Sequence, residues 1–423
     1  MQEILFGYKL NPTTWAYISA LMMVGIYFKF QRLWSVRNLD LAALIAFSPG
    51  LLLVYHGLLK QWPELIQTGY VWLFAVGLFF LVRMLLDAVM VRRPLLDPNL
   101  SAGGLAFTGA ALLVFLMANV ITSPKERLEY LLAQQKSPAS HGLGYAPFQS
   151  FSSLSNQEII LVDPSRPETP QGLSLRAAAT HAVAILAHLA VVAGMVWIGF
   201  RHFDNFHTGV AAATLYLLTF YTSQLTSQVE HVAPAALLVW AIAAYRRPAV
   251  AGVLIGLAAG LIFYPLFLLP LWCGFYWRRG AIRFVLGAAA ALAAMVILLA
   301  VISPDYGAFV AQLGQMFGIR NPFTAQLSGF WGYFDSAYRI PVVAAFAALC
   351  VGLAIWPAHK NLGTLLSCSA AVMLATQFWH ADQGGLCMAW FLPLLILTIF
   401  RPNLEDRVAL SAVSPASRRR RKG

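Results

Sequence analysis

The sequence predicts an all-α, polytopic membrane helix bundle, and three observations lead there. Of its 423 residues 59% are hydrophobic and only 11% charged, where soluble domains run nearer roughly one quarter charged. Apolar runs of about bilayer length recur along the chain. The basic residues behind the net charge of +12 punctuate those runs instead of forming one patch. Membrane topology explains them, and no nucleic-acid partner is expected.

Taken in order, the expected spans lie near 13–29, 40–59, 69–90, 103–121, 177–200, 206–223, 231–245, 249–262, 264–277, 281–302, 340–356, 362–378 and 384–400. The first run is followed by Lys29, Arg32 and Arg37, whereas a cleavable signal carries its basic residues in front, so no signal peptide is expected. Cys273, Cys350, Cys368 and Cys387 all fall inside apolar runs without ligand partners. They read as packing residues, with neither disulfide nor metal implied.

The stretch from Arg246 to Gly280 decides the count. Between Arg247 and Arg278 lie 30 uncharged residues, 248 to 277, about 45 Å as one helix. One span of that length would need strong tilt and would put one arginine pair on the translocated side. Two short helices hinged near Tyr264 and Pro265 keep both pairs on one side, and proline is a suitable break. The hairpin gives about thirteen spans, with the N-terminus outside and the C-terminus cytoplasmic. On that topology 20 of the 29 Lys and Arg residues fall inside, although the outer loops are longer. That is the positive-inside pattern. A multi-pass protein of a bacterial plasma membrane is the expected setting.

Two outer segments, 122–176 and 303–339, are too long for plain connectors, and the second mixes aromatic with polar residues as a bilayer-surface segment does. The chain divides into a three-span N-terminal extension (1–100), a membrane module (101–400) and a basic cytoplasmic tail (401–423). No Walker loop, dinucleotide fingerprint, zinc signature or nucleophile elbow is present. Asn99-Leu100-Ser101 matches a glycosylation pattern on the inner side, where it carries no meaning. Arg83 and Asp87, four apart, read as a structural ion pair.

The order of elements from 103 to 283 carries more. Gln228 precedes an apolar helix, then come Arg246 and Arg247, then Ala251, Gly252, Gly256 and Ala258, then Tyr264 and Pro265, and a leucine-rich run through Leu268, Leu269 and Pro270 to Arg278 and Arg279. This order resembles the glycosyltransferase C superfamily, in particular its polyprenol-phosphate-mannose-dependent bacterial mannosyltransferases, over roughly 103 to 400. The resemblance implies a helix bundle of glycosyltransferase C type. It also implies a polyprenyl-phosphate sugar as donor, and a glycolipid or glycan as acceptor on the outer face. No cofactor is implied, and a divalent cation is left open.

By resemblance Glu126, with Tyr130 four residues on and Tyr145 to Pro147 beyond, supplies the general base, and Glu129 is its alternative one helical turn away. A solvated helix start explains the same charges. Glu230 and His231, beside Gln228 at a helix boundary, make a binding-site candidate, because ionisable groups there face protein or a cavity. Interfacial solvation is the competing reading. His380 and Asp382 stand at another outer boundary, either on sugar hydroxyls with Trp379 stacked on a ring or as an aromatic-belt anchor. Arg320 is the best outer cation for a lipid phosphate, unless it snorkels to headgroups. Ile262 stands where the family has lysine before "x-Y-P", glutamate stands where its usual acid is aspartate, and the three N-terminal spans, 13 to 90, have no counterpart there. The expected function is an integral membrane hexosyltransferase. A lipid-linked sugar flippase or an inactive scaffold of the same fold are the alternatives.

Overall fold

A computed structural model of the chain describes residues 11–88, 97–122, 175–226, 228–317, 327, 329–381, 383–404, 407–409 and 413. Among these residues the elements are helical, with fifteen α-helices and, in place of strands, two isolated bridges, Gly329–Gly384 and Asn361–Val408.

Three helices open the chain: α1 (Pro12–Tyr27), α2 (Val36–Leu59) and α3 (Pro63–Asp87). Their starts are locally encoded. Asn11 accepts from the Thr13 amide at 3.0 Å, Ser35 accepts from Asn38 at 3.3 Å, and Pro63 opens α3 where its missing N–H costs nothing. Next come α4 (Ala102–Thr122), α5 (Leu175–Arg201), α6 (Phe206–Leu218), α7 (Phe220–Gln224) and α8 (Val229–Ala243). The span expected at 206–223 is therefore interrupted. Thr219 leaves the helical region, and the hydroxyls of Thr219 and Thr222 both donate to the Tyr216 carbonyl, at 2.8 and 2.9 Å. The break satisfies its own polar groups, as backbone inside a membrane protein must.

The stretch between the arginine pairs does fold back. α9 (Pro248–Leu261) ends at Ile262, a 3-10 turn covers Tyr264–Leu268, and α10 (Leu269–Tyr276) returns. Its two feet meet, since a Cβ on Gly280 would lie 2.6 Å from the Pro248 ring, and the Tyr276 hydroxyl donates to the Tyr245 carbonyl. α11 (Ala281–Ile302) then runs beside α9 at close range. A side chain on Gly252, Gly256 or Gly287 would strike the facing backbone at Phe284, Ala288 or Ala249. This is small-residue packing of the kind membrane helices use. The chain closes with α12 (Tyr306–Met316), turns at Phe330–Gly332 and Ser336–Tyr338, α13 (Arg339–Ile355), α14 (Leu362–Thr376), a turn at Met388–Trp390, and α15 (Leu392–Phe400).

Six described helices are long and apolar enough to cross a membrane: α2, α3, α4, α5, α11, and α13 with its leading turn. The other expected spans are shorter, and α14, for example, has 15 residues, about 22 Å. For α14 and α15 position explains the difference. Every residue of α14 and α15 is buried inside the bundle, whereas α11 and α13 have mostly exposed apolar surfaces. A helix wrapped in protein has no bilayer thickness to match.

The three N-terminal helices share one buried core with the rest. Tyr27 donates to the Ala211 carbonyl at 2.8 Å and meets Phe400 edge-on, while Phe47 stacks on Phe80 and touches Phe391. The expected Arg83–Asp87 pair is present at 3.0 Å and is part of a larger network. Arg83 also grips both oxygens of Asp40 at 3.0 Å, and Arg401, past α15, holds Asp87 at 2.8 Å. The Asn99 side chain is occupied structurally, donating to the carbonyls of Gly25 and Phe28 and accepting from Lys29.

Candidate functional site

The polar residues singled out in the sequence come from separate stretches, and the fold gathers four of them. Proline-broken α9 and α10 carry Tyr264 to the end of the bundle that holds the start of α8. There the Trp390 indole donates to the Glu230 carbonyl at 3.2 Å. The same Trp390 ring lies 5.1 Å from Tyr264, 5.5 Å from His380 and 6.2 Å from His231, between centroids. Tyr264 stacks on His380 at 4.8 Å. Glu230, His231, Tyr264 and His380 thus surround one tryptophan, at the end of the hairpin away from its arginine-flanked feet. Gln228 stands one turn before them as the residue preceding α8. Its side chain is half-exposed, and its carbonyl accepts from the amides of His231 and Val232.

Hydrogen bonds tie the cluster together. His231 is buried, takes the Tyr221 hydroxyl on Nδ1 at 2.8 Å, and has the Cys387 sulfur 3.7 Å from Nε2. That cysteine, expected only to pack, orients an imidazole. Gln377 Oε1 accepts from the amides of Gly385 and Cys387, at 3.2 and 3.1 Å, and so ties the loop after α14 into shape. The Gly329–Gly384 bridge and a 3.1 Å bond from the Trp331 indole to the Phe378 carbonyl dock the 329–338 segment onto the same loop.

Trp379 is packed among Tyr264, Phe267 and Phe346, with centroids 5.3 to 5.7 Å away, so protein already flanks its ring. Its buried indole N–H has no hydrogen-bond partner among the described residues. Ile262, at the tip of the hairpin, is buried in the core. Glu126, Glu129, Tyr130, Arg320 and Asp382 lie outside the described residues.

Arg339 is a cation that sequence reasoning missed. It opens α13, donates through Nε to the Trp379 carbonyl at 2.7 Å, and holds its guanidinium 6.0 Å from the centre of that ring. It is half-buried, and no carboxylate pairs with it among the described residues. Among those residues no group of three or more His, Cys, Asp or Glu side chains could hold a metal ion.

Beside the cluster runs an apolar groove of about 680 Å³ between α3 and α13, floored by α14. Phe346 and Phe378 line it while adjoining the cluster, the first through Trp379 and the second as the residue before it. No family model, no curated protein and no solved structure matches this chain.

Proposed function

We propose that the protein is a membrane-embedded glycosyltransferase of glycosyltransferase C type. It passes a mannose-like hexose, with inversion, from a polyprenyl-phosphate donor to a hydroxyl of a lipid-linked or envelope glycan. The observation that carries this reading is the convergence of Glu230, His231, Tyr264 and His380 around Trp390, away from the arginine pairs. Under the positive-inside rule that end faces outward from a bacterial plasma membrane, with the N-terminus outside and the C-terminus cytoplasmic.

The chemistry asks little of a metal or nucleotide. A carboxylate takes the proton from the acceptor hydroxyl, whose oxygen attacks the anomeric carbon as the bond to the polyprenyl phosphate breaks. Glu126 is the proposed base and Glu129 its alternative, with Tyr130 and Asp382 as proposed substrate-binding residues. Glu230 and His380 orient sugar hydroxyls, His231, whose ring nitrogens face Tyr221 and Cys387, packs behind them, and Arg320 meets phosphate. Holding the reactants close to the attacking arrangement would supply much of the rate.

A flippase would instead need free polar groups at mid-span. Of the two histidines of α5, His188 is engaged on both ring nitrogens, by Tyr216 at 3.2 Å and by the Thr226 carbonyl at 3.0 Å, whereas His181 Nδ1 is buried without a hydrogen-bond partner among the described residues. The deciding test of the base is Glu126→Gln in detergent-purified protein supplied with a radiolabelled polyprenyl-phosphate hexose, with and without a divalent cation. Transfer should vanish while the protein stays monodisperse. Full activity in that variant removes Glu126 as the base.

A further inference from the structure

From 231 to 304 the chain has no Asp, Glu or Lys, and its cations there are five arginines: Arg246, Arg247, Arg278, Arg279 and Arg283. In sequence the first two stand far from the last three, and the fold-back joins them. Pro248, next to Arg247, meets Gly280, next to Arg279, where a Cβ would come within 2.6 Å of the proline ring. The Tyr276 hydroxyl ties the same two feet by donating to the Tyr245 carbonyl. Arg247, Arg278 and Arg283 are exposed and Arg246 is half-buried. Among the described residues none of these four forms a salt bridge.

The surrounding backbone and rings support the same charge. Arg246 is held in place, since its Nε donates to the Tyr245 hydroxyl at 3.2 Å and its guanidinium lies 5.7 Å from the centre of that fully buried ring. Helices α9 and α11 both start at the patch, preceded by Arg247 and Gly280, and no side chain caps either start. The positive ends of two helix dipoles therefore add to the arginines. Further along the same two helices the surface is apolar and exposed, with Val250 and Val253 on α9, Ile282 and Leu286 on α11, and Trp277 beside Arg278.

Arginines at the rim of an exposed hydrocarbon surface complement a ligand with an anionic head and apolar tails. A soluble polyanion would leave the apolar surface uncovered, and a neutral lipid would bring no net charge to the arginines. We propose that the feet of the hairpin bind an anionic phospholipid of the adjoining leaflet, its phosphodiester between the two arginine groups and its acyl chains along α9 and α11. By the positive-inside rule that leaflet is the cytoplasmic one. The site lies at the end of the hairpin away from Tyr264 and is independent of the transferase reading. A lipid held there bridges the starts of the two helices that pack through Gly252, Gly256 and Gly287.

The test uses the full chain in nanodiscs of dioleoylphosphatidylcholine with a trace of phosphatidylglycerol that carries a diazirine in one acyl chain. Adducts are mapped to peptides. They are expected at Val250 to Val253 and Ile282 to Leu286, about tenfold above those from a phosphatidylcholine with the same tag. The exposed end of α13, Val351 to Ile355, should take both probes alike. Arg247→Gln with Arg278→Gln should reduce phosphatidylglycerol adducts at the feet about tenfold or more, while Arg247→Lys with Arg278→Lys keeps most of them. Arg418→Gln with Arg419→Gln removes the same charge from the basic tail and should change them less than about twofold. Equal labelling of the wild-type feet by the two probes overturns the site, whether or not the glutamine pair folds. An equal loss in the tail variant overturns it as well, leaving only a diffuse surface charge. Loss of the adducts at the feet, but not on α13, to a single-stranded oligonucleotide at matched phosphate concentration would assign the patch to a soluble polyanion instead.

Discussion

Asp87 is fully buried, held by Arg83 from its own helix and by Arg401 from the far end of the chain. Removing one partner of a buried charge set leaves the others uncompensated, typically at about 3–5 kcal/mol. Asp87→Asn should therefore lower the thermal unfolding midpoint in detergent by many degrees. Asp204, an exposed partner of Arg407, tests the contrast, because such pairs contribute about 0–1 kcal/mol. Asp204→Asn, which also tolerates the positive φ of 53° at that position, should leave the midpoint nearly unchanged. Equal shifts would show that the network does not bolt the N-terminal helices to the chain's end. His202, in the connection after α5, is a second residue-scale probe. Burial pushes its pKa down to about 4, opposed by its bond to the Ala243 carbonyl and aided by Arg246, Arg407 and Arg201. The unfolded chain, titrating near 6.5, takes up the proton first, so this contribution is full above about pH 6.5 and is lost as pH falls toward 4. His202→Gln should flatten the acid-side fall of the unfolding midpoint over that window, and an unchanged slope would remove His202 as its source.

At the scale of elements, the hairpin α9–α10 depends on glycines that let α11 approach. A side chain at Gly252 meets the Phe284 carbonyl, whereas one at Gly352 of α13 meets nothing within 4 Å. Gly252→Val should destabilise by about 1–3 kcal/mol or more, as overpacking does, and Gly352→Val should leave the unfolding midpoint within a degree or two. If the two variants behave alike, α9 and α11 are not in close contact. The hairpin was legible in the sequence because a charge pattern at both feet and a proline between them leave few alternatives. The α6–α7 break was not legible, since no proline or glycine marks it. It arises from Thr219 and Thr222 turning their hydroxyls onto Tyr216. The candidate site was half legible. Glu230, His231, Tyr264 and His380 stood out as polar or boundary residues in apolar surroundings. Arg339 looked like any basic residue at a helix start, and only its approach to Trp379 in space distinguishes it. Gln377 and Cys387 act through backbone amides and an imidazole ring that no spacing rule connects.

For the whole molecule, sidedness and the proposed activity are linked. The fold brings both arginine pairs to the feet of the hairpin and carries Tyr264 to the opposite end. Arg247→Cys and Arg278→Cys should accordingly react with an impermeant maleimide from the same membrane side as the C-terminal tail, and Gln228→Cys from the other side. Labelling of the two arginine positions from opposite sides would break the hairpin topology. The most direct measurement of the central claim is hexose transfer from a radiolabelled polyprenyl-phosphate hexose to extracted envelope lipids, by purified wild-type protein in parallel with Glu230→Gln and His380→Ala. Transfer by the wild type, with at least about a hundredfold loss in both variants at unchanged folding, is the expected result. No transfer from any polyprenyl-phosphate hexose, or full activity in both variants, would contradict it.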